Sequence, residues 1–71
     1  MGKNGELLDR AESAAGMSGI EMSQEFGCSS QQYYKMKRAD NGFRYDRLVK
    51  LCALPGITKR KLADWLCEIW G

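Results

Sequence analysis

Two helix-start signals of the same type stand close together in the middle of the chain, with a glycine between them. In each, a serine that can accept from a backbone N–H is followed three positions later by a side chain that can reach back. The pairs are Ser18 with Glu21 and Ser29 with Gln32, and each is a capping box. Gly27, between them, suits the left-handed backbone position that ends a helix. This spacing predicts two short helices joined by a very tight turn.

The remaining breaks divide the chain into three further helices. We predict a loose start over residues 1–5 and a helix over 6–15, with Asn4 as its candidate cap. A fourth helix is predicted over 45–54, stopped by a Pro-Gly pair, and a fifth begins at the cap Thr58. Five short helices with brief connections predict an all-α fold, a compact five-helix domain that uses all 71 residues.

Apolar residues recur at helical spacing in the last two predicted helices. In the fourth helix, this spacing puts Arg47 and Lys50 on the outward side. In the fifth, it gives an amphipathic stripe made of Leu62, Trp65, Leu66 and Ile69, with Trp70 one residue beyond it.

Composition excludes several classes of protein. No apolar run approaches the ~18 residues of a membrane span, and the start of the chain lacks the pattern of a secretory signal. The three cysteines are widely spaced and there is no histidine, so neither a metal site nor a disulfide framework is predicted. Free thiols suit a reducing cytoplasm. With no paired carboxylates and no glycine-rich phosphate loop, we predict a non-enzyme without a cofactor or small-molecule ligand.

Charge is unevenly distributed. Residues 1–30 carry two basic and five acidic side chains, a net charge of −3, and residues 31–71 carry nine basic and four acidic ones, a net charge of +5. This asymmetry can orient a protein in the field of a polyanion. At about 100° per residue, Tyr33 and Met36 mark the buried side of the third helix. Its outward side holds Gln31, Tyr34, Lys35 and Arg38.

The central stretch resembles the lambda-repressor-like (Cro/repressor, XRE-type) helix-turn-helix family. That family places a small residue four before the turn glycine, an apolar residue directly before it and two apolar residues in the second helix. Here these are Ser23, Phe26, Gly27, Tyr33 and Met36. The likeness extends over residues 17–70. The chain departs from the family pattern in having Ser23 where alanine is usual and Tyr33 where a smaller residue is usual, and in a longer segment after Met36.

The resemblance implies a DNA-binding transcriptional regulator that reads double-stranded operator DNA. In such domains the start of the second helix of the pair meets base edges, where glutamine can recognise adenine and lysine or arginine can recognise guanine. The predicted base contacts are Ser30, Gln31, Tyr34 and Lys35. The predicted phosphate contacts are Arg38, Asn41 and Arg44. The family often has glutamine at the position of Gly19, so one side-chain contact is missing here.

A chain of this size resembles small phage-type (Cro-like) repressors, and an antitoxin-like autoregulator would look similar. Related domains often dimerise through the last helix, so Trp65, Ile69 and Trp70 are the predicted dimer face. The alternative hypothesis is a small helical protein-interaction module that uses this tryptophan face to bind a partner protein.

Overall fold

A computed structural model describes residues Gly2–Gly71 and contains five helices in the predicted order. No strand forms within this range. The five helices are α1 (Lys3–Ala15), α2 (Gly19–Glu25), α3 (Ser30–Lys37), α4 (Tyr45–Cys52) and α5 (Lys59–Trp70). The all-helical prediction is therefore confirmed.

The start of α1 corrects the sequence prediction. Residues 1–5 were expected to be loose, yet α1 begins at Lys3; Met1 lies outside the described residues. The backbone N–H groups of Gly2 and Asn4 donate to the carbonyls of Lys37 and Ala39, at 3.2 and 3.0 Å. The first turn of a helix leaves backbone N–H groups unpaired, and the last turn leaves backbone carbonyl groups unpaired. Here the first turn of α1 and the end of α3 satisfy each other.

Asn4 is not the cap of α1, because Gly2 occupies that position. The Asn4 side chain is buried and points instead at the connection between α3 and α4. Its Oδ1 accepts from the backbone N–H of Gly42 at 2.8 Å, and its Nδ2 donates to Oδ1 of Asn41 at 3.2 Å. The first turn of the chain thus fixes a loop that lies far along the sequence.

The turn between α2 and α3 follows the local signals of the sequence. Both capping boxes are formed, on Ser18 and on Ser29. Gly27 has a φ of 68°, in the left-handed region. The N–H of Gly27 bonds to the carbonyl of Gln24, and that of Cys28 bonds to the carbonyl of Ser23. This paired pattern is the Schellman motif, which ends α2 and allows α3 to begin only a few residues later.

In the core α1 packs against both α3 and α5, α2 packs against α3, and α4 packs mainly against α5. The domain measures 27 × 24 × 20 Å. No helix in the described part of the chain has both the length and the apolar character needed to cross a bilayer. The buried apolar residues come from all five helices and the connections between them: Leu7, Leu8, Ala11, Met22, Phe26, Tyr33, Leu51, Leu54, Ile57, Leu62 and Ile69.

Gly56 allows the connection between α4 and α5 to lie directly against α1. A Cβ atom at this position would lie only 2.2 Å from the carbonyl oxygen of Ala14, and φ is 78°. No other residue type fits that approach without moving backbone. This contact holds the α4–α5 pair close to the end of α1.

Candidate functional site

The outer side of α3 carries the four predicted base-contacting residues. Ser30, Gln31 and Lys35 are exposed, and Tyr34 retains 45% of its accessible surface. None of the four side chains forms a hydrogen bond or ion pair with another described residue. The capping box on Ser29 occupies Gln32, the other polar residue of this turn. The start of α3 therefore presents a row of polar groups that remain available to a ligand.

Tyr34 is held in place although it is half exposed. Its hydroxyl lies close to Gly19, where a Cβ atom would come within 2.6 Å of the phenol oxygen. Its ring packs edge-on against Tyr33, with 5.6 Å between centroids. Gly19 thus leaves room for Tyr34 to reach across to the start of α2. Sequence reasoning found both residues but not this contact.

The inner side of α3 is anchored to α1 by a polar cluster that sequence reasoning missed. The Tyr33 hydroxyl donates to Oε2 of Glu12 at 2.5 Å. The Lys37 ammonium lies 2.7 Å from the same oxygen and 2.9 Å from Oδ1 of Asp9. Lys37 is only 8% exposed. A signal was present, because Lys37 follows Tyr33 by four residues and so shares its side of the helix.

The two α3 residues in this cluster, Tyr33 and Lys37, both have raised pKa values. Burial raises the pKa of Tyr33, and the hydrogen bond to Glu12 raises it further, because a neighbouring carboxylate disfavours the phenolate. Burial lowers the pKa of Lys37, but hydrogen bonds to Glu12 and Asp9 outweigh that effect, so its pKa is raised overall. Lys37 therefore stays charged and pairs with the α1 carboxylates inside the fold.

The predicted phosphate-contacting residues lie at the end of α3 and in the loop that follows. Arg38, Asn41 and Arg44 are all exposed. Asn41 is the only one of the three with a side-chain bond to another described residue, through the Asn4 amide. The Trp70 indole N–H also donates to the carbonyl of Asp40, at 2.8 Å. The loop is thus held from α1 and from α5, with both arginines directed to its outside.

An open cleft of about 700 Å³ separates the end of α3 from the start of α4. Lys35, Arg44 and Arg47 line it, with Asp46 as its one acidic residue among those described. It joins the outer side of α3 to the loop at Asn41, so Lys35 from the predicted base contacts and Asn41 and Arg44 from the predicted phosphate contacts border one basic depression. Sequence reasoning did not find this cleft, because its walls come from segments that meet only in the fold.

Arg47 was predicted to point outward, and that prediction is wrong. Its guanidinium lies 5.5 Å from the centre of the Phe26 ring, and Nη1 lies 3.9 Å from Sδ of Met36. Long arginine side chains can cover apolar surface while the charged end stays near water. Arg47 consequently forms one wall of the cleft.

The C-terminal face is less exposed than the sequence suggested. Ile69 belongs to the buried core, and Trp65 and Trp70 are half-buried against it. Trp70 also uses its only hydrogen-bond donor within the chain. The more exposed large apolar side chains lie elsewhere, on α2 and α4, and sequence reasoning did not single them out as a surface: Ile20 at 59%, Tyr45 at 81% and Val49 at 48%.

Comparisons of the chain with protein-family models, with curated proteins and with solved structures gave no match. The site therefore has to be interpreted from its own geometry and chemistry.

Proposed function

We propose that this protein is a sequence-specific double-stranded DNA-binding transcriptional regulator, in which α2, the Gly27 turn and α3 act as a helix-turn-helix of the lambda-repressor-like type. The observation that carries the proposal is the outer side of α3. It presents Ser30, Gln31, Tyr34 and Lys35 together, exposed and with no side-chain hydrogen bond or ion pair to another described residue, while the opposite side of the same helix is locked to α1.

The chemistry of this row matches the major groove. The amide of Gln31 can bond to adenine at N6 and N7, and the ammonium of Lys35 can bond to guanine at O6 and N7. The Ser30 hydroxyl can donate to or accept from a base edge. An α-helix fits the major groove in width. Lys37, the buried cation of α3, takes no part in binding.

The residues after α3 suit the sugar-phosphate backbone. Arg38 and Arg44 are exposed cations on either side of the loop, and Asn41 lies between them in a fixed position. Contacts of this kind place a protein on DNA without reading its sequence. Because the loop is tied to α1 and α5, these contacts would set the angle at which α3 enters the groove.

The mechanism we propose is steric. A homodimer, with one copy on each half-site, occupies an operator in the cytoplasm and blocks or recruits polymerase without a cofactor. A small phage-type repressor resembling Cro fits this description, and so does an antitoxin-like autoregulator.

The first experiment is a selection from a randomised duplex DNA pool, followed by affinity measurements over a salt series. We expect one motif to be enriched, with half-sites about 10 base pairs apart. A steep salt dependence without an enriched motif would mean phosphate contacts alone, and would remove base reading from α3. Absence of binding at low salt would overturn the proposal and favour the protein-interaction alternative.

Variants then test which residues read the operator. Gln31→Ala and Lys35→Ala are each expected to weaken binding to the selected duplex by about 1–3 kcal/mol and to relax the base preference at one position. Lys59→Ala is the matched control, since it removes the same charge from the exposed start of α5. Equal losses in Lys35→Ala and Lys59→Ala would show that bulk charge, and not α3, governs binding.

A further inference from the structure

We propose that the exposed side of α4 is the dimer interface and that its partner is a second copy of this chain, packed against it in antiparallel orientation about a two-fold axis. The placement of this dimer on an operator rests on the proposed function, whereas the dimer itself does not. The sequence had placed the dimer face on α5 instead.

An apolar pair on α4 has no cover within the chain. Tyr45 and Val49 are among the most exposed large apolar side chains among the described residues. They lie four positions apart, so their side chains are neighbours on one side of the helix. Leu48 and Cys52, both half-buried, continue the same side toward the core. An apolar strip of this kind, rimmed by charged residues, is typical of an interaction surface.

The charges beside this pair identify the partner. Asp46 and Lys50 lie next to Tyr45 and Val49 on one flank of α4, about 100° and 140° around the helix from Tyr45. Both are exposed, and neither forms an ion pair with another described residue. Asp46 and Lys50 are four positions apart, as Tyr45 and Val49 are, so the charged row lies alongside the apolar row on the helix.

Such a flank is complementary to itself. When two copies of a helix pack antiparallel about a two-fold axis, the same flank of each meets the other in reversed order. Asp46 of one copy then faces Lys50 of the other, and the reverse pair forms by symmetry, as an isologous interface requires. In a parallel two-fold arrangement these flanks lie on opposite sides of the interface, so the pairs between Asp46 and Lys50 cannot form. The charge pattern therefore selects a second copy of the chain in one orientation.

The alternative face on α5 offers less to a partner. Ile69 is in the core, and the Trp70 indole N–H is bonded to the Asp40 carbonyl. A partner at that face would find Trp65 and Trp70 only partly exposed, with the Trp70 indole donor already in use. On α4, by contrast, the Tyr45 hydroxyl and ring are both available.

The size of the patch limits the strength of the dimer. A standard interface removes about 800 Å² from each partner, whereas the whole described chain exposes 4574 Å². One side of a two-turn helix supplies less than that standard area, so we expect a weak dimer in solution. On DNA, two adjacent half-sites would raise the effective concentration of the second copy.

The geometry also suits DNA. α4 begins directly after Arg44, so the patch adjoins the proposed DNA-binding side. Each copy is 27 Å in its longest dimension, so two copies in contact can place their α3 helices at a separation of that order. That separation is of the same order as the ~34 Å between half-sites one helical turn apart.

Sedimentation equilibrium without DNA tests the interface. For the wild-type chain we expect a shift from 8.0 kDa toward twice that mass as concentration rises, over a range from about 10 μM to about 1 mM. Tyr45→Glu should remain monomeric throughout that range. Ile20→Glu is the matched control, because it places the same charge at another exposed apolar residue and should leave the dimer intact.

Charge reversal tests the orientation. Asp46→Lys or Lys50→Asp alone should abolish the dimer, because each places like charges opposite one another. The double variant should restore it, since the pairs form again with their signs exchanged. Circular dichroism monitors folding in each case, because both reversals oppose the α4 dipole.

Three results would overturn the inference. A wild-type chain that stays monomeric to about 1 mM would do so, as would a dimer that survives Tyr45→Glu but is lost in Trp70→Ala. A double charge reversal that fails to restore the dimer would exclude the antiparallel pairing. Failure of the proposed function gives a different result, namely a dimer that responds to these variants but binds no DNA.

Discussion

The two sides of α3 use similar residues for opposite purposes. On the inner side, the hydroxyl of Tyr33 and the ammonium of Lys37 meet at one carboxylate oxygen of Glu12. On the outer side, Tyr34 and Lys35 have the same functional groups, but neither side chain forms a hydrogen bond or an ion pair with a described residue. Residue type alone does not separate the two pairs. The direction in which the helix presents them does.

This difference indicates that the two sides of α3 have different roles. The inner pair should carry stability and contribute nothing to ligand binding. In the outer pair, Lys35 should carry binding and contribute little to stability, whereas Tyr34 also packs against Tyr33. Each prediction below tests one part of that division.

The largest effect is expected for Tyr33→Ala. The side chain is fully buried, packs near Phe26 and bonds to Glu12. Removing a buried aromatic side chain costs about 3–5 kcal/mol, which approaches the whole stability of a domain of this size. We expect a largely unfolded chain at 25 °C by circular dichroism. A variant that melts at the wild-type temperature would place Tyr33 outside the core.

A smaller loss of stability is expected for substitution of Lys37, and almost none for substitution of Lys35. Lys37→Met removes the cation that bridges Asp9 and Glu12, and should lower the free energy of unfolding in urea by about 1–3 kcal/mol. Lys35→Met is the matched control, and should change it by no more than about 0.5 kcal/mol. Equal effects would show that burial of Lys37 has no energetic consequence.

Alkaline pH should destabilise the fold through the inner side of α3. The folded-state pKa of Tyr33 lies above its ordinary value of 10.0, and that of Lys37 lies above 10.5. Above about pH 10 the unfolded chain gives up these protons first, so stability is complete below that pH and falls as pH rises. Each group contributes a slope of up to about 1.4 kcal/mol per pH unit.

Urea unfolding at pH 9, 10 and 11 measures this slope. Tyr33→Phe should reduce it, because the variant has no phenol proton to lose. Tyr45→Phe is the control, since Tyr45 is exposed on α4. If both variants keep the wild-type slope, the titration of Tyr33 does not influence folding.

The smallest effect is expected for Arg38, which directly follows α3, and it concerns DNA binding. Arg38→Ala should weaken DNA binding by a similar factor for all sequences and reduce the slope of log affinity against log salt by about 1, as expected for one lost phosphate contact. The base preference should not change. A changed preference would instead assign Arg38 to base reading, whereas an unchanged slope would remove it from the interface.

Local signals predicted the middle of the fold correctly. The boxes on Ser18 and Ser29 and the left-handed Gly27 involve residues within a few positions of one another, so they can be identified from the sequence. The exposure of Gln31 and Lys35 followed from the same helical spacing. Gln31 and Lys35 are two of the four candidate residues on the outer side of α3.

Contacts across the fold could not be predicted in the same way. The start of α1 depends on the end of α3, and the burial of Lys37 depends on carboxylates of α1. Arg47 turns inward because apolar surface from Phe26 and Met36 lies beside it. No residue near any of them in sequence indicates these partners. For the same reason, the cleft and the exposed pair on α4 became visible only in the folded chain.

The contact of Asn4 with the loop before α4 has a consequence for the order of folding. Its side-chain bonds join residues 37 and 38 positions apart, whereas each capping box joins residues three apart. Closing the longer loop loses more chain entropy, so the α2–α3 turn should form early and the Asn4 contact late. Asn4→Ala should therefore speed unfolding in stopped-flow experiments and leave the refolding rate unchanged. The loop with Asn41 would then be the last segment to take its place, after α3 has already formed.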